Sequence, residues 1–171
     1  MWLSRRIFFA SLASLALVAC GFTPAYAPGG SGLALQNTVL AAEPRDKPAF
    51  DLVERIEERL GPSDIPKYAL TYTIELNPIG VAVTTDNAIT RYNLTGKVTW
   101  ELSDVITGTR LTGGVSTNFT SYSATGSTVA GLAAQEDAAY RLMRIIADQI
   151  ISQLLATSGQ WAEAAPAAAA P

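Results

Sequence analysis

The chain contains no histidine and only one cysteine among its 171 residues. These two residue types supply most ligands of zinc and other transition metals, and most bases and nucleophiles of acid–base and thiol enzymes. Their scarcity excludes the usual metal centres, histidine triads and thiol sites, and Cys20 cannot form a disulfide within the chain. We therefore expect no metal and no cofactor, while enzymes that rely on carboxylate pairs or a Ser-Lys dyad are not excluded by composition.

The sequence also lacks an apolar run long enough to span a membrane. A spanning helix needs roughly 20 apolar residues, and the run from Ile7 to Val18 is well short of that before it reaches Gly21. It follows two basic residues, Arg5 and Arg6, which is typical of a secretory signal peptide. The sequence predicts a signal peptide over residues 1–19.

The signal peptide ends in Leu17-Val18-Ala19-Cys20, which resembles the bacterial lipobox, where the cysteine sulfur is acylated and becomes part of the first mature residue. We expect Cys20 to carry the lipid anchor, with two or more acyl chains because one chain binds a bilayer only marginally. A residue other than Asp after the cysteine, here Gly21, resembles the sorting signal of lipoproteins sent to the outer membrane. Residues 20–32 then predict a lipidated anchor and an extended Gly/Pro-rich tether. The protein would be held on the periplasmic side of the outer membrane.

Basic charge is scarce in the mature chain. Removal of residues 1–19 takes away two of the 12 Lys and Arg residues and none of the 15 acids, which leaves a net charge of −5. Nucleic-acid binding requires a basic surface that neutralises phosphates. We therefore expect no nucleic-acid partner.

The first part of the predicted domain, residues 33–157, combines a short strand with a helix. Apolar residues predict the strand between Leu33 and Leu40. Asp46 as a cap and Pro48 in the first turn predict a helix that ends before Gly61. Its charges lie opposite the apolar stripe, and we interpret them as a solvated face, with a docking surface as the alternative. These charged residues are Asp51, Glu54, Arg55, Glu57, Glu58 and Arg59.

Three later runs alternate apolar and polar residues and predict antiparallel strands. In the first run, the apolar residues move from even to odd positions past Pro78 and Gly80, which predicts a bulge. Thr85-Asp86-Asn87 then predicts a turn. The second run is the predicted central strand, with its apolar residues inward. The predicted inward residues of the second run are Tyr92, Leu94, Val98, Trp100 and Leu102, and those of the third are Leu111, Val115 and Phe119.

A long helix from the Ser123–Thr128 loop to about Leu155 closes the domain, with Asp137–Arg141 and Arg144–Asp148 predicted as solvent-side i,i+4 ion pairs. Residues 158–171 are Ala/Pro-rich and predict a disordered tail. The element order predicts an α+β two-layer sandwich, a mostly antiparallel four-stranded sheet with two helices packed on one face and the other face free.

Several short features together resemble the LPS-assembly lipoprotein LptE family. They are the lipobox followed by Cys20-Gly21-Phe22, the short tether, the element order, the strand start Arg91-Tyr92-Asn93-Leu94 and the helix segment Ala147-Asp148-Gln149-Ile150. The resemblance covers Cys20 to about Leu155. It implies a protein that is not an enzyme, plugs and helps to assemble the LptD β-barrel, binds lipopolysaccharide and assists its delivery to the outer leaflet.

The chain departs from the family pattern in its basic residues. The resemblance implies basic lipid contacts near a hairpin tip and the start of the last helix, but Val83–Ala88 and Thr128–Gln135 contain no Lys or Arg. Arg91 and Lys97 are the nearest basic candidates for lipid or partner contact, although ordinary cross-strand charges are the simpler interpretation. Asp86 and Asn87, in the adjacent turn, complete the candidate surface.

Two other functions remain open at this point. One is an auxiliary lipoprotein of an ABC-type lipid-transport system, which is also a small tethered α+β domain. The other is a periplasmic hydrolase that uses serine or carboxylates, although the sequence has no Gly-x-Ser-x-Gly motif and no acidic pair placed by spacing alone.

Overall fold

The structure, a computed structural model, describes residues 26, 27, 30 and 32–161. A 3₁₀ turn at Leu33–Leu35 precedes the strands and helices. These are β1 (Val39–Ala41), α1 (Lys47–Leu60), β2 (Tyr68–Val83), β3 (Ile89–Asp104), β4 (Arg110–Ser123) and α2 (Thr128–Trp161). None of the helices in the described part of the chain is long and apolar enough to cross a membrane.

The four strands form one sheet in chain order, β1-β2-β3-β4. β1 pairs with β2 in parallel, and the other two pairings are antiparallel, so the predicted α+β architecture is confirmed with a mixed sheet. The strand predicted between Leu33 and Leu40 is wrong for its first six residues. Asn37 adopts a positive φ of 56°, and its N–H donates to the carbonyl of Leu60 at 2.7 Å, so extended structure begins only at Val39.

α1 begins and ends where its capping residues predict. The Asp46 carboxylate accepts the N–H of Ala49 at 2.8 Å, and Gly61 takes the positive φ of 80° that favours glycine. The prediction that Asp51 lies on a solvated face is wrong. Asp51 is 3% exposed and is held by Lys47 of the preceding turn, whose Nζ lies 3.0 Å from its Oδ1.

The core lies between the helices and the even-numbered side chains of β2 and β3. Leu70, Val98, Trp100 and Leu102 are all buried there, which confirms the predicted register of the central strand. β3 crosses closely beneath α2 at Gly96, where an added Cβ would lie 2.9 Å from a Leu142 methyl group. Glycine therefore permits the helix to approach the sheet.

The prediction that Val115 and Phe119 of β4 point inward is wrong. Val115 and Phe119 are 52% and 57% exposed, while Ser116 and Thr120 are buried. The cause is a bulge: Leu102 pairs with Thr112 and Ser103 with Arg110, which leaves Leu111 as an extra residue. Leu111 packs against the core, and the bulge then moves every later odd-numbered residue to the opposite face.

α2 extends past its predicted end at Leu155. The domain boundary predicted at residue 157 falls inside the helix, so residues 158–161 are helical instead of belonging to a disordered tail. The ring of Trp161 packs edge-on against Tyr68 with centroids 5.4 Å apart, which joins the end of the helix to the start of β2. Residues 162–171 lie outside the described residues, as does Cys20.

Candidate binding surface

The residues predicted to contact a lipid or a partner occupy two places on the sheet. Arg91 and Lys97 lie on β3, on the sheet face that no helix covers, and Asp86 and Asn87 lie in the β2–β3 turn. Lys97 follows Arg91 by six positions of extended chain, about 20 Å along the strand. The structure therefore brings Arg91 near the turn and leaves Lys97 in the middle of the sheet.

Lys97 already has a partner. It lies directly opposite Glu75 in the register of β2 and β3, and its Nζ is 3.1 Å from Glu75 Oε1. Exposed pairs of this kind contribute roughly 0–1 kcal/mol. Arg91 is exposed and, among the residues that the structure describes, pairs with no acid. A contact role for either residue stays a prediction.

The two turn residues differ in their local roles. Asn87 has a positive φ of 63°, a conformation that Asn tolerates, and its N–H donates to Thr84 at 3.0 Å. It therefore shapes the turn. Asp86 is exposed, and its carboxylate accepts a long hydrogen bond of 3.4 Å from the hydroxyl of Thr85.

The sheet face without helices is mostly polar, and apart from Arg91 its charges are paired. Besides the Lys97–Glu75 pair, Arg110 Nε lies 3.1 Å from Glu101 Oε2. Five threonines share this face with the ion pairs: Thr71, Thr73, Thr95, Thr99 and Thr117. Val115 and Phe119 add an apolar strip along β4. This face offers hydrogen bonds and a few paired charges, with no concentrated charge of one sign.

Sequence reasoning missed an apolar surface at the far end of the β2–β3 hairpin. The side chains of Ile79, Val81, Val83 and Ile89 are between 40% and 57% exposed. The pairing shows two irregularities here, at Val81 and Thr90, which confirms the predicted bulge. The shift in apolar phase was the signal for this surface, because it marked aliphatic residues that the helices do not cover.

A groove lies beside this hairpin end, between the start of α1 and residues 132–139 of α2. Its volume is about 360 Å³, and Leu76, Leu94 and Leu132 contribute its apolar lining. Lys47 stands at its rim. The hydrogen bond from Lys47 to Asp51 is the largest cause of a raised Lys47 pKa, so this lysine carries a charge at neutral pH. No feature of the sequence marked Lys47 as part of a groove.

The charged face of α1 is bound to α2 by ion pairs. Arg55 and Arg59 hold Asp148 at 3.0 and 2.9 Å, and Arg144 binds Glu58 at 2.9 Å. The predicted Arg144–Asp148 pair is therefore wrong, because each residue reaches across to the other helix. Hydrogen bonds from Arg144 and then Arg55 lower the pKa of Glu58. The Asp137–Arg141 pair is confirmed at 2.8 Å.

Solved bacterial lipoproteins share this fold. A proposed lipoprotein from Caulobacter crescentus CB15 has a TM-score of 0.58 at 26% identity, covering 74% of this chain and 91% of its own. The rare lipoprotein B from Shewanella oneidensis has a TM-score of 0.56 at 12% identity, covering 71% of this chain and 95% of its own. A minor lipoprotein from Acinetobacter baumannii has a TM-score of 0.51 at 19% identity, covering 70% and 94%.

The sequence itself identifies the family. Among curated protein sequences, none matches the chain significantly. The family model LptE, described as lipopolysaccharide-assembly, matches residues 38–154, from the residue before β1 to the last turns of α2. The chain belongs to the LptE family.

Proposed function

We propose that this protein is an outer-membrane lipoprotein, acylated on Cys20, that occupies the lumen of an LptD-like β-barrel. In this role it helps the barrel to assemble and assists delivery of lipopolysaccharide to the outer leaflet. The observation that carries the proposal is the LptE family match over residues 38–154, which spans all four strands. The proposal assigns it no catalytic step.

The polar sheet face supports this proposal. The lumen of an outer-membrane barrel is polar, so a domain that fills it must present polar groups that keep their hydrogen bonds. The hydroxyl-rich face with its two exposed ion pairs meets this requirement. The helices cover the apolar sheet face over most of its length. The opposite, polar face can therefore contact the barrel wall without disturbing the core.

The length of the domain and the end at which it begins also support the proposal. β1 pairs with the first residues of β2, so the domain begins at the end opposite the β2–β3 turn. At about 3.3 Å per residue the 16 residues of β2 extend about 50 Å, whereas the hydrocarbon core of a bilayer is about 30 Å thick. A domain anchored at the first end and lying along a barrel axis would carry its turn across the membrane.

The anchor is tested by Cys20→Ser. Because acylation needs the sulfur, this variant should accumulate as an unprocessed or soluble form that no longer incorporates radioactive fatty acid. Fatty-acid labelling that persists in the variant would contradict lipidation at Cys20.

The partner is tested by affinity purification of the tagged, full-length protein in detergent. A large outer-membrane barrel should co-purify with it. Co-purification of an inner-membrane complex instead would favour the auxiliary role in ABC-type lipid transport and contradict this proposal.

The contact residues are tested by the double variant Arg91→Glu, Lys97→Glu. Reversal of both charges should weaken binding to an anionic lipid or to the barrel wall, while the melting temperature changes little because both side chains are exposed. The readouts are the yield of barrel complex and cellular sensitivity to large hydrophobic antibiotics. A normal complex and a normal barrier would remove both residues from the proposed surface; a collapsed melting temperature would show them to be structural.

A further inference from the structure

The outer edge of β4 has backbone groups that point away from the sheet. Ala124 donates to Thr90 at 2.9 Å, so the even-numbered residues of this strand point toward β3. Odd-numbered residues therefore point outward. Two of these outward groups find local partners: Phe119 N–H donates to Asn118 Oδ1 at 2.8 Å, and Ser121 C=O accepts from Arg141 at 3.4 Å. The stretch Gly113–Thr117 remains open in the described structure.

The opposite edge of the sheet is protected near both of its ends, and this one is not. β1 covers Tyr68–Leu70 at the start of β2. Beyond it, Pro78 lacks an N–H and Val81 bulges, two features that prevent pairing with another chain. Residues 111–123 of β4 contain no charged residue and no proline, and the bulge lies at their very start. A long neutral edge of this kind readily accepts another strand.

The space beside this edge has room for a strand. A groove of about 640 Å³ runs between β4 and α2, with Val115 and Thr117 on one side and Ile145, Gln149 and Gln153 on the other. Amide, hydroxyl and aliphatic groups line it. Its one carboxylate, Asp148, is bonded to Arg55 and Arg59. A charged occupant would therefore lose water without gaining a partner, whereas a neutral one would not.

We propose that β4 accepts a fifth strand, an uncharged extended segment of the barrel partner, paired with Gly113–Thr117. This inference rests on the proposed function and adds the place and the mode of contact: backbone hydrogen bonds at a sheet edge, with alternate side chains against Ile145 and the glutamines of α2. A second copy of this chain is a poorer occupant. Antiparallel pairing of β4 with itself would bring both α2 helices onto the same sheet face, beside the same groove.

The test is Thr117→Pro in the full-length protein, purified in detergent. Proline removes an N–H that points away from β3, so it leaves the β3–β4 hydrogen bonds intact. We expect the yield of barrel complex to fall about tenfold, the change that corresponds to the loss of one or two interfacial hydrogen bonds. Thr117→Val is the matched control, because it keeps the N–H and the branched shape, and it should retain the complex.

A second variant guards against misfolding. Val115→Lys places a charge on the edge without altering the backbone and should lower the yield in the same way, while circular dichroism should show melting close to the parent protein. If Thr117→Pro fails to fold, the yield of barrel complex with Val115→Lys decides whether a fifth strand pairs with β4.

The outcomes separate this inference from the function on which it rests. If the parent protein captures no barrel, the proposed function is contradicted and the fifth strand with it. If the parent captures a barrel and both edge variants capture it equally well, only the strand addition is overturned. A parent protein that is dimeric, with a monomeric Thr117→Pro variant, would identify a second copy as the occupant and would also overturn it.

Discussion

Both halves of the β2–β3 hairpin are antiparallel strand pairs, with irregular pairing at Val81 and Thr90 near the turn, and their surroundings differ. In the half near β1, Leu70, Trp100 and Leu102 are at most 3% exposed beneath the helices. In the half near the turn, Ile79, Val81 and Val83 are 48–57% exposed. Apolar residues occur in both halves, so composition alone does not separate them. What separates them is whether a helix lies above the strand.

The two halves therefore contribute differently to the stability of the fold. Burial of apolar side chains supplies most of the free energy of folding, so the covered half determines stability. The half near the turn contributes little burial and can change with small effect on the fold, which is typical of regions that open locally or bind partners. Substitutions can test this division directly.

The largest effect is expected from Trp100→Ala. Trp100 is 3% exposed, and its indole N–H donates to Ser116 at 3.3 Å. Its removal loses the transfer free energy and leaves a cavity, so the free energy of unfolding should fall by about 3–5 kcal/mol. Urea denaturation measures this. The neighbouring outward substitution Thr99→Ala should change it by about 0.5 kcal/mol or less, and equal effects would contradict the register.

The next effect is expected from Gly96→Val. A Cβ at this position would lie 2.9 Å from a methyl group of Leu142 and 3.0 Å from one of Ile146, and valine adds two more methyl groups. Such overpacking costs about 1–3 kcal/mol. Gly131→Ala in α2 is the control, because nothing lies within 4 Å of its added Cβ; it should stabilise by up to about 1 kcal/mol. A tolerated Gly96→Val would show that α2 does not approach the sheet so closely.

A smaller effect is expected from acid. The pKa of Glu58 is lowered from its ordinary value of 4.5 in the folded protein, so its ion pairs stabilise the fold above the unfolded pKa. That contribution is lost as pH falls through the folded pKa, below about 4.5. Unfolding measured between pH 7 and pH 3 should show Glu58→Gln losing less stability than the parent protein. Identical pH profiles would mean that the pairs between the helices contribute nothing.

The smallest effect is expected near the turn, and a matched pair measures it. Val83→Thr exchanges a methyl group for a hydroxyl at a side chain that is 57% exposed and should change stability by about 0.5 kcal/mol or less. The same exchange at Val98, which is 0% exposed, buries a hydroxyl and should cost about 1–3 kcal/mol. If both cost the same, the two halves do not differ as described.

Local signals predicted the elements whose local and tertiary preferences agree. Asp46, Pro48 and Gly61 set the bounds of α1 through capping that depends on neighbouring residues alone. The alternation from Tyr92 to Leu102 predicted the register of β3, because one face of an antiparallel strand is buried and the other is solvated.

The errors arose where distant residues decide. One inserted residue at Leu111 reversed the face of Val115 and Phe119, and alternation cannot reveal a bulge that lies before the run. Arg144 and Asp148 have the spacing of a helical pair, but two arginines and a glutamate of α1 compete for them across the helix interface. The open edge of β4 likewise depends on strand order, which the sequence does not state.

The position of α2 at the end of the described chain determines when folding can finish. During synthesis the chain emerges N-terminus first, and β2, β3 and β4 can join through their short turns as soon as they appear. The part of their apolar face that α2 covers then stays exposed until the 34 residues of this helix follow. A nascent or truncated chain that stops before Thr128 would therefore expose that face, and would be a substrate for chaperones and proteases while the finished domain is not.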